Sequence, residues 1–130
     1  MITSFNFSFC RAEIYNDYIL TIMKEGITVI PKYNDLLLMA SEQYYKNKPF
    51  VYISNRVNSY SVNPKIHLEM SKIPNLIGFA VISNEPLQKL QARLEQSMFE
   101  KDFRLFESRK LAIEWKDSII QNYLSKNPLN

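Results

Sequence analysis

The sequence predicts an α/β fold with a mixed, mostly parallel sheet of five or six strands, four helices, and antiparallel strands at the N-terminus. Three observations carry that prediction. Apolar runs of strand length alternate with stretches whose apolar residues recur every three or four positions. Short turn-forming breaks separate them. The first residues instead alternate polar and aromatic side chains, the period of a strand with one buried face. At 130 residues, with 46% apolar and 22% charged side chains, the chain has the size and composition of a single domain, residues 1–130.

Phe5, Phe7 and Phe9 alternate with Ser4, Asn6 and Ser8, which predicts an edge strand. Glu13–Tyr15 and Tyr18–Met23 flank Asn16-Asp17 and read as a hairpin. Gly26 offers an exit from the second of these strands. A helix is predicted from Pro31 to Tyr45, with Leu36, Leu37, Ala40 and Tyr44 at helical spacing. Its start lacks a capping side chain, since position 30 is Ile. Phe50–Ile53 is a short apolar run suited to a central strand buried on both faces. After a polar loop, Asn63 as N-cap and Pro64 at the first helical position open a short helix to Lys72. Leu76–Ile82 is a second continuous apolar strand, and Ser83-Asn84-Glu85-Pro86 starts a third helix. In that helix Leu87, Leu90, Leu94 and Met98 are expected to face the core, with Lys89, Arg93 and Glu100 in water. Phe103–Phe106 forms the last strand, and Ala112, Trp115, Ile119 and Tyr123 form the stripe of a closing helix that packs on the sheet.

Composition excludes several function classes. Sixteen basic residues against thirteen acidic ones leave a formal charge of +3 without a basic cluster, which does not fit nucleic acid or an anionic membrane surface. The lone Cys10 and the lone His67 allow neither an internal disulfide nor a Cys/His zinc site. With only Gly26 and Gly78, neither a Walker loop nor a Gly-x-Gly-x-x-Gly turn can be built. No cofactor, nucleotide or metal is therefore expected. The N-terminus lacks the basic and long apolar regions of a signal peptide, and no apolar stretch approaches the roughly 20 residues of a membrane span. A cytoplasmic protein without a transmembrane segment is the expectation.

The order of these segments is similar to that of STAS, or SpoIIAA-like, domains. YILTIMKEGITVIPKYNDLL resembles their opening, a hydrophobic strand that ends at Gly and leads into a helix with an aromatic residue near its start. KPFVYISNR resembles the third strand of the family, NLIGFAVISN the fourth, and DFRLFESRKLAIEW the closing strand and helix. The resemblance runs from about Glu13 to Ile120. It implies a small right-handed β-α superhelix, found in proteins that bind partners, nucleotides or lipids rather than perform chemistry. The Asp-Ser-Ser-Gly-Leu type signature of the phosphorylation switches is absent, because the chain reads Ser54-Asn55-Arg56-Val57-Asn58-Ser59-Tyr60-Ser61 at that place.

Candidate chemistry is sparse. Ser54, Ser59 and Ser61 are potential nucleophiles, but a triad needs a base oriented by a third group, and the single His67 is read as a partly exposed helix residue. Cys10 is read as a small buried hydrophobe. Glu95, Glu100, Glu114 and Asp117 are read as solvated helix charges, and Tyr44, Tyr45, Tyr52 and Tyr60 as packing residues. What stands out is the loop after the central strand, with three serines, three asparagines, one arginine and one tyrosine between Ser54 and Asn63. Ligands gather beyond the C-terminal ends of such strands. The expected binding residues are Ser54, Asn55, Arg56, Asn58, Ser59, Tyr60 and Ser61, with Arg56 as an exposed anchor for an anion. The expected function is a non-enzymatic regulatory or protein-interaction module, with a small carrier of an apolar ligand, such as an acyl chain, as the alternative. The partner is then another protein or a small apolar or anionic ligand, and self-association is compatible with the sequence.

Overall fold

The computed structural model describes residues 1–58 and 60–127. Six strands form one sheet in the order β1-β2-β3-β5-β7-β8. They are β1 (Thr3–Asn6), β2 (Cys10–Ile14), β3 (Tyr18–Met23), β5 (Phe50–Asn55), β7 (Leu76–Ile82) and β8 (Asp102–Phe106). β1, β2 and β3 pair antiparallel, and β3, β5, β7 and β8 run parallel. The helices are α1 (Asn34–Gln43), preceded by a 3₁₀ turn Pro31–Tyr33, then α2 (Ile66–Met70), α3 (Pro86–Gln96) and α4 (Arg109–Lys126). The parallel strands are added in one direction, so right-handed crossovers place α1, α2 and α3 on the same face. α4 follows the edge strand β8 and packs on the opposite face.

Side-chain alternation on the central strands sorts the core into two layers. Phe50 and Tyr52 of β5 join Phe79 and Val81 of β7 beneath the three crossover helices. Val51 and Ile53 join Ala80 and Ile82 beneath α4. Ala112 and Ile120 are buried there, and Trp115 lies half-buried with its ring 5.6 Å from that of Phe106. α4 approaches the sheet where β7 carries Gly78. A Cβ at that position would lie 2.6 Å from Ile119 Cδ1 and 3.0 Å from Trp115 Cη2.

Several elements differ from expectation. β1 ends at Asn6, so Phe7 and Phe9 belong to the turn before β2, which itself begins at Cys10. The three rings still stack in a row, at 5.8 and 5.6 Å. The polar loop is shorter than predicted, because Ser54 and Asn55 extend β5 and Ser61–Val62 form a strand, β6, parallel to β4 (Thr28–Val29). Two-residue strands have no periodicity to detect. Asn63 does not cap a helix that starts at Pro64. Its Oδ1 accepts from the backbone N–H of Lys65 in a turn, and α2 begins at Ile66.

The largest correction concerns α3. Leu87, Leu90 and Leu94 are 80%, 58% and 64% exposed and face solvent, whereas Ala92 and Glu95 are buried. Spacing of three and four shows that residues share a face, not which face is covered. Here the small Ala92 lets the helix approach the sheet, and the carboxylate beside it finds buried partners.

Candidate functional site

The face beneath α1 and α2 contains the site. Alternation turns Ala12 of β2, Thr21 of β3 and Tyr52 and Ser54 of β5 toward these helices, and the small side chains of Cys10, Ala12 and Thr21 leave space there. A cavity of about 40 Å³ results, bounded on the helix side by Leu36 and Leu37 of α1 and by Ile66, His67 and Met70 of α2. The first helix yields more readily than the strands, since Tyr33 at its N-cap makes no side-chain capping bond.

The polar groups on the cavity wall bond one another. Thr21 Oγ1 and Tyr52 OH are 2.6 Å apart, and Ser54 Oγ and Tyr60 OH 2.9 Å. Arg56 donates from Nη1 and Nη2 to the two carboxylate oxygens of Glu95, each at 2.6 Å, and from Nε to Ser54 Oγ at 3.3 Å. His67 Nε2 lies 2.7 Å from Glu95 Oε1. Gln91 adds a longer bond of 3.4 Å to Oε2. Glu95 thus joins the end of β5, α2 and α3 in one buried network. The His67 ring stands perpendicular to those of Phe79 and Phe103, with ring centres 4.8 and 5.4 Å apart.

Electrostatics follow from these contacts. Burial alone pushes the Glu95 carboxyl upward, but the bonds from Arg56 and His67 outweigh it and hold the group at about 2. Burial pulls the Arg56 guanidinium downward, and the Glu95 carboxylate more than restores it, to above the usual arginine value. The pair is ionised and internally neutral. Since the ionised carboxylate only accepts, the network assigns a proton to His67 Nε2; the second ring nitrogen is Nδ1. That Nδ1 is the one buried side-chain polar atom without a hydrogen-bond partner among the described residues. Burial pushes the Cys10 thiol up to about 11, with Lys24 opposing weakly, so it stays protonated.

Of the residues expected to bind, Ser54, Arg56 and Tyr60 line the cavity. Asn58 fastens the loop, donating from Nδ2 to Met23 O at 2.9 Å and accepting at its own carbonyl from Gln88 at 3.0 Å. Asn55 closes β5 opposite Ile82, Ser61 lies exposed in β6, and Ser59 lies outside the described residues. Arg56 is not an exposed anchor: it is 5% exposed and committed to Glu95. His67 and Glu95, read as partly exposed and solvated, are 1% and 0% exposed. A signal for Glu95 existed, since Gln88, Ala92, Glu95 and Phe99 also recur at helical spacing and form the stripe that faces the sheet.

Among the described residues no group of three or more His, Cys, Asp or Glu gathers that could hold a metal ion, and no helix is long and apolar enough to cross a membrane. Ser54 is held by Tyr60 and Arg56, and Cys10 is a neutral thiol, so neither is set up as a nucleophile. The arrangement offers a small, mostly apolar recess that is partly open to solvent.

The chain has a SpoIIAA-like fold, here a mixed sheet crossed three times on one face and covered by a single C-terminal helix on the other. It is similar to the crystal structure of an uncharacterized protein of the DUF3478 family with a SpoIIAA-like fold from Shewanella loihica PV-4. The two share 18% sequence identity over 82% of this chain and 91% of that one, with a TM-score of 0.58. A likeness at that identity extends to the fold and no further. No protein-family model and no curated protein matches the chain.

Proposed function

We propose that this chain is a non-catalytic binding module that holds a small apolar ligand between the sheet and helices α1 and α2, with Ser54, Arg56 and Tyr60 at the polar edge of the site. One observation carries the reading: the cavity is walled by apolar side chains and by polar ones already bonded to each other. The accessible wall is mostly apolar, which favours an apolar occupant over ordered water. An apolar occupant gains by covering that apolar wall without breaking those bonds. An anionic ligand gains little, because Glu95 neutralises Arg56. Native mass spectrometry of the purified protein, with gas chromatography of a solvent extract, tests this. A stoichiometric apolar compound is expected. A ligand-free protein whose melting temperature does not rise under xenon, an apolar probe small enough for this cavity, contradicts the reading.

A second reading, an interaction module that pairs with a second copy, is favoured by the seam of Leu87, Leu90 and Leu94 facing solvent on α3. Sedimentation equilibrium distinguishes it. On this reading the protein is a dimer that Leu90→Glu separates, and a monomer at all concentrations refutes it.

A further inference from the structure

We propose that β1 is an interaction edge that pairs antiparallel with β1 of a second copy of this chain, about a two-fold axis at Phe5, so that the two sheets join into one. The proposal is independent of the cavity and of the leucine seam on α3.

The sheet has two open edges, β1 and β8. An open edge presents unpaired N–H and C=O groups, and proteins that stay single guard it with charged side chains, proline or a covering segment. β8 is guarded. Asp102 and Arg104 are exposed along it, Lys101 and Glu107 flank it, and Gln96 covers one of its carbonyls, donating from Nε2 to Phe103 O at 2.8 Å. β1 has none of these devices. No side chain before Arg11 is charged, and none of those residues is proline. The nearest charged side chains, Arg11 and Glu13 on β2, neutralise each other at 3.2 Å.

The hydrogen-bond pattern shows which groups the edge offers. Phe7 N–H donates to Cys10 O at 2.8 Å, and bonded pairs alternate along an antiparallel ladder, so Phe5 and Thr3 are the next residues bonded to β2, at Ala12 and Ile14. Ser4 and Asn6 therefore aim their backbone N–H and C=O groups away from the sheet. No loop among the described residues covers these groups.

This pattern is complementary to itself, which selects a second copy as the occupant. With the axis at Phe5, Ser4 lies opposite Asn6 of the second copy and Asn6 opposite its Ser4, and each pair exchanges two backbone bonds. Phe5 then meets Phe5 in a non-hydrogen-bonded pair, where side chains approach closest and aromatic partners stabilise the contact. Alternation places the two rings on the α1 face, where Phe5 already packs with Tyr44 at 6.3 Å. Phe7 and the 46% exposed Met39 border the same hollow and extend the apolar contact. The uncharged Ser4 and Asn6 meet on the other face. A strongly acidic or basic partner gains nothing from an edge without net charge, whereas a second copy meets no like charge across it.

Sedimentation equilibrium of the intact chain is expected to show a dimer. Ser4→Pro removes an outward N–H from each copy and no bond to β2, so it is expected to raise the dissociation constant by about tenfold or more while circular dichroism stays that of the parent. Leu90→Glu is expected to leave the dissociation constant unchanged, which separates this edge from the leucine seam. Hydrogen exchange of the parent gives a readout that needs no variant. The Ser4 and Asn6 amides are expected to be protected in the dimer and to lose protection on dilution, whereas those of Phe5 and Phe7 stay protected throughout. A monomer at every concentration overturns the proposal. A dimer whose Ser4 and Asn6 amides exchange freely overturns it as well, whether or not Ser4→Pro folds. A dimer that Leu90→Glu separates and Ser4→Pro does not overturns it in favour of the seam. Each of these results leaves the cavity reading standing.

Discussion

Replacing Arg56 with alanine removes one partner of a buried two-point ion pair, and with it both bonds to Glu95 and the bond to Ser54. Glu95 then stays fully buried with only His67 at 2.7 Å and Gln91 at 3.4 Å. Breaking such a pair from one side costs about 3 to 5 kcal/mol, because the surviving charge loses its compensation. Domains of this size are stable by about 5 to 15 kcal/mol, so Arg56→Ala removes a large share. Urea denaturation followed by circular dichroism measures it, and a fall in the midpoint of about 2 M is expected at an unchanged slope. Acid supplies a second readout. Because the folded Glu95 carboxyl sits at about 2, below its ordinary 4.5, its stabilisation is fully present above pH 4.5 and is lost as the pH falls toward 2. The shift corresponds to about 3 kcal/mol. Without Arg56 the carboxyl rises, so the variant loses its remaining stability at a higher pH than the parent. A cost below about 1 kcal/mol for Arg56→Ala, with the acid profile of the parent, refutes the buried-pair argument.

Other positions yield simpler tests. Gly78→Ala places a methyl group against Ile119 and Trp115 and is expected to destabilise by about 1 to 3 kcal/mol, a cost that Ile119→Ala in the same chain reduces, as read by thermal melting. The Cys10 thiol, buried and pushed up to about 11, is expected to react with a chromogenic disulfide reagent only after unfolding. Reaction of the native protein at the speed of a free thiol contradicts that placement. Leu90→Glu is expected to leave the stability of the folded chain within about 0.5 kcal/mol, since the side chain faces solvent. A loss above about 2 kcal/mol returns that face to the core.

The strands were legible because burial leaves a local signature. Phe50–Ile53 and Leu76–Ile82 are covered on both faces and read as continuous apolar runs. The hairpin at Asn16-Asp17 was announced by its turn residues. α3 was misread because two stripes, the leucines and the set Gln88, Ala92, Glu95 and Phe99, share the same period, and the one with greater hydrophobicity lies outside. The choice depends on Arg56 and His67, 39 and 28 residues away from Glu95 in the chain, and no local pattern encodes a pairing over that separation. Arg56 and Tyr60 were found for a positional reason, since they follow the C-terminal end of a central strand. Their role was not legible: a polar loop reads as exposed unless its buried partners are known.

The central claim is that the space beneath α1 and α2 accepts an apolar ligand, and methionine methyl groups test it most directly. The chain has five methionines. Met23 and Met70 line the cavity, whereas Met1, Met39 and Met98 do not. With carbon-13 in the methionine methyl groups, titration with xenon, which is small enough for this cavity, is expected to shift Met23 and Met70 together, along one saturable curve, and to leave the other three signals in place. Five unmoved signals at the highest xenon pressure, or equal drift of all five, contradict a binding cavity at this position.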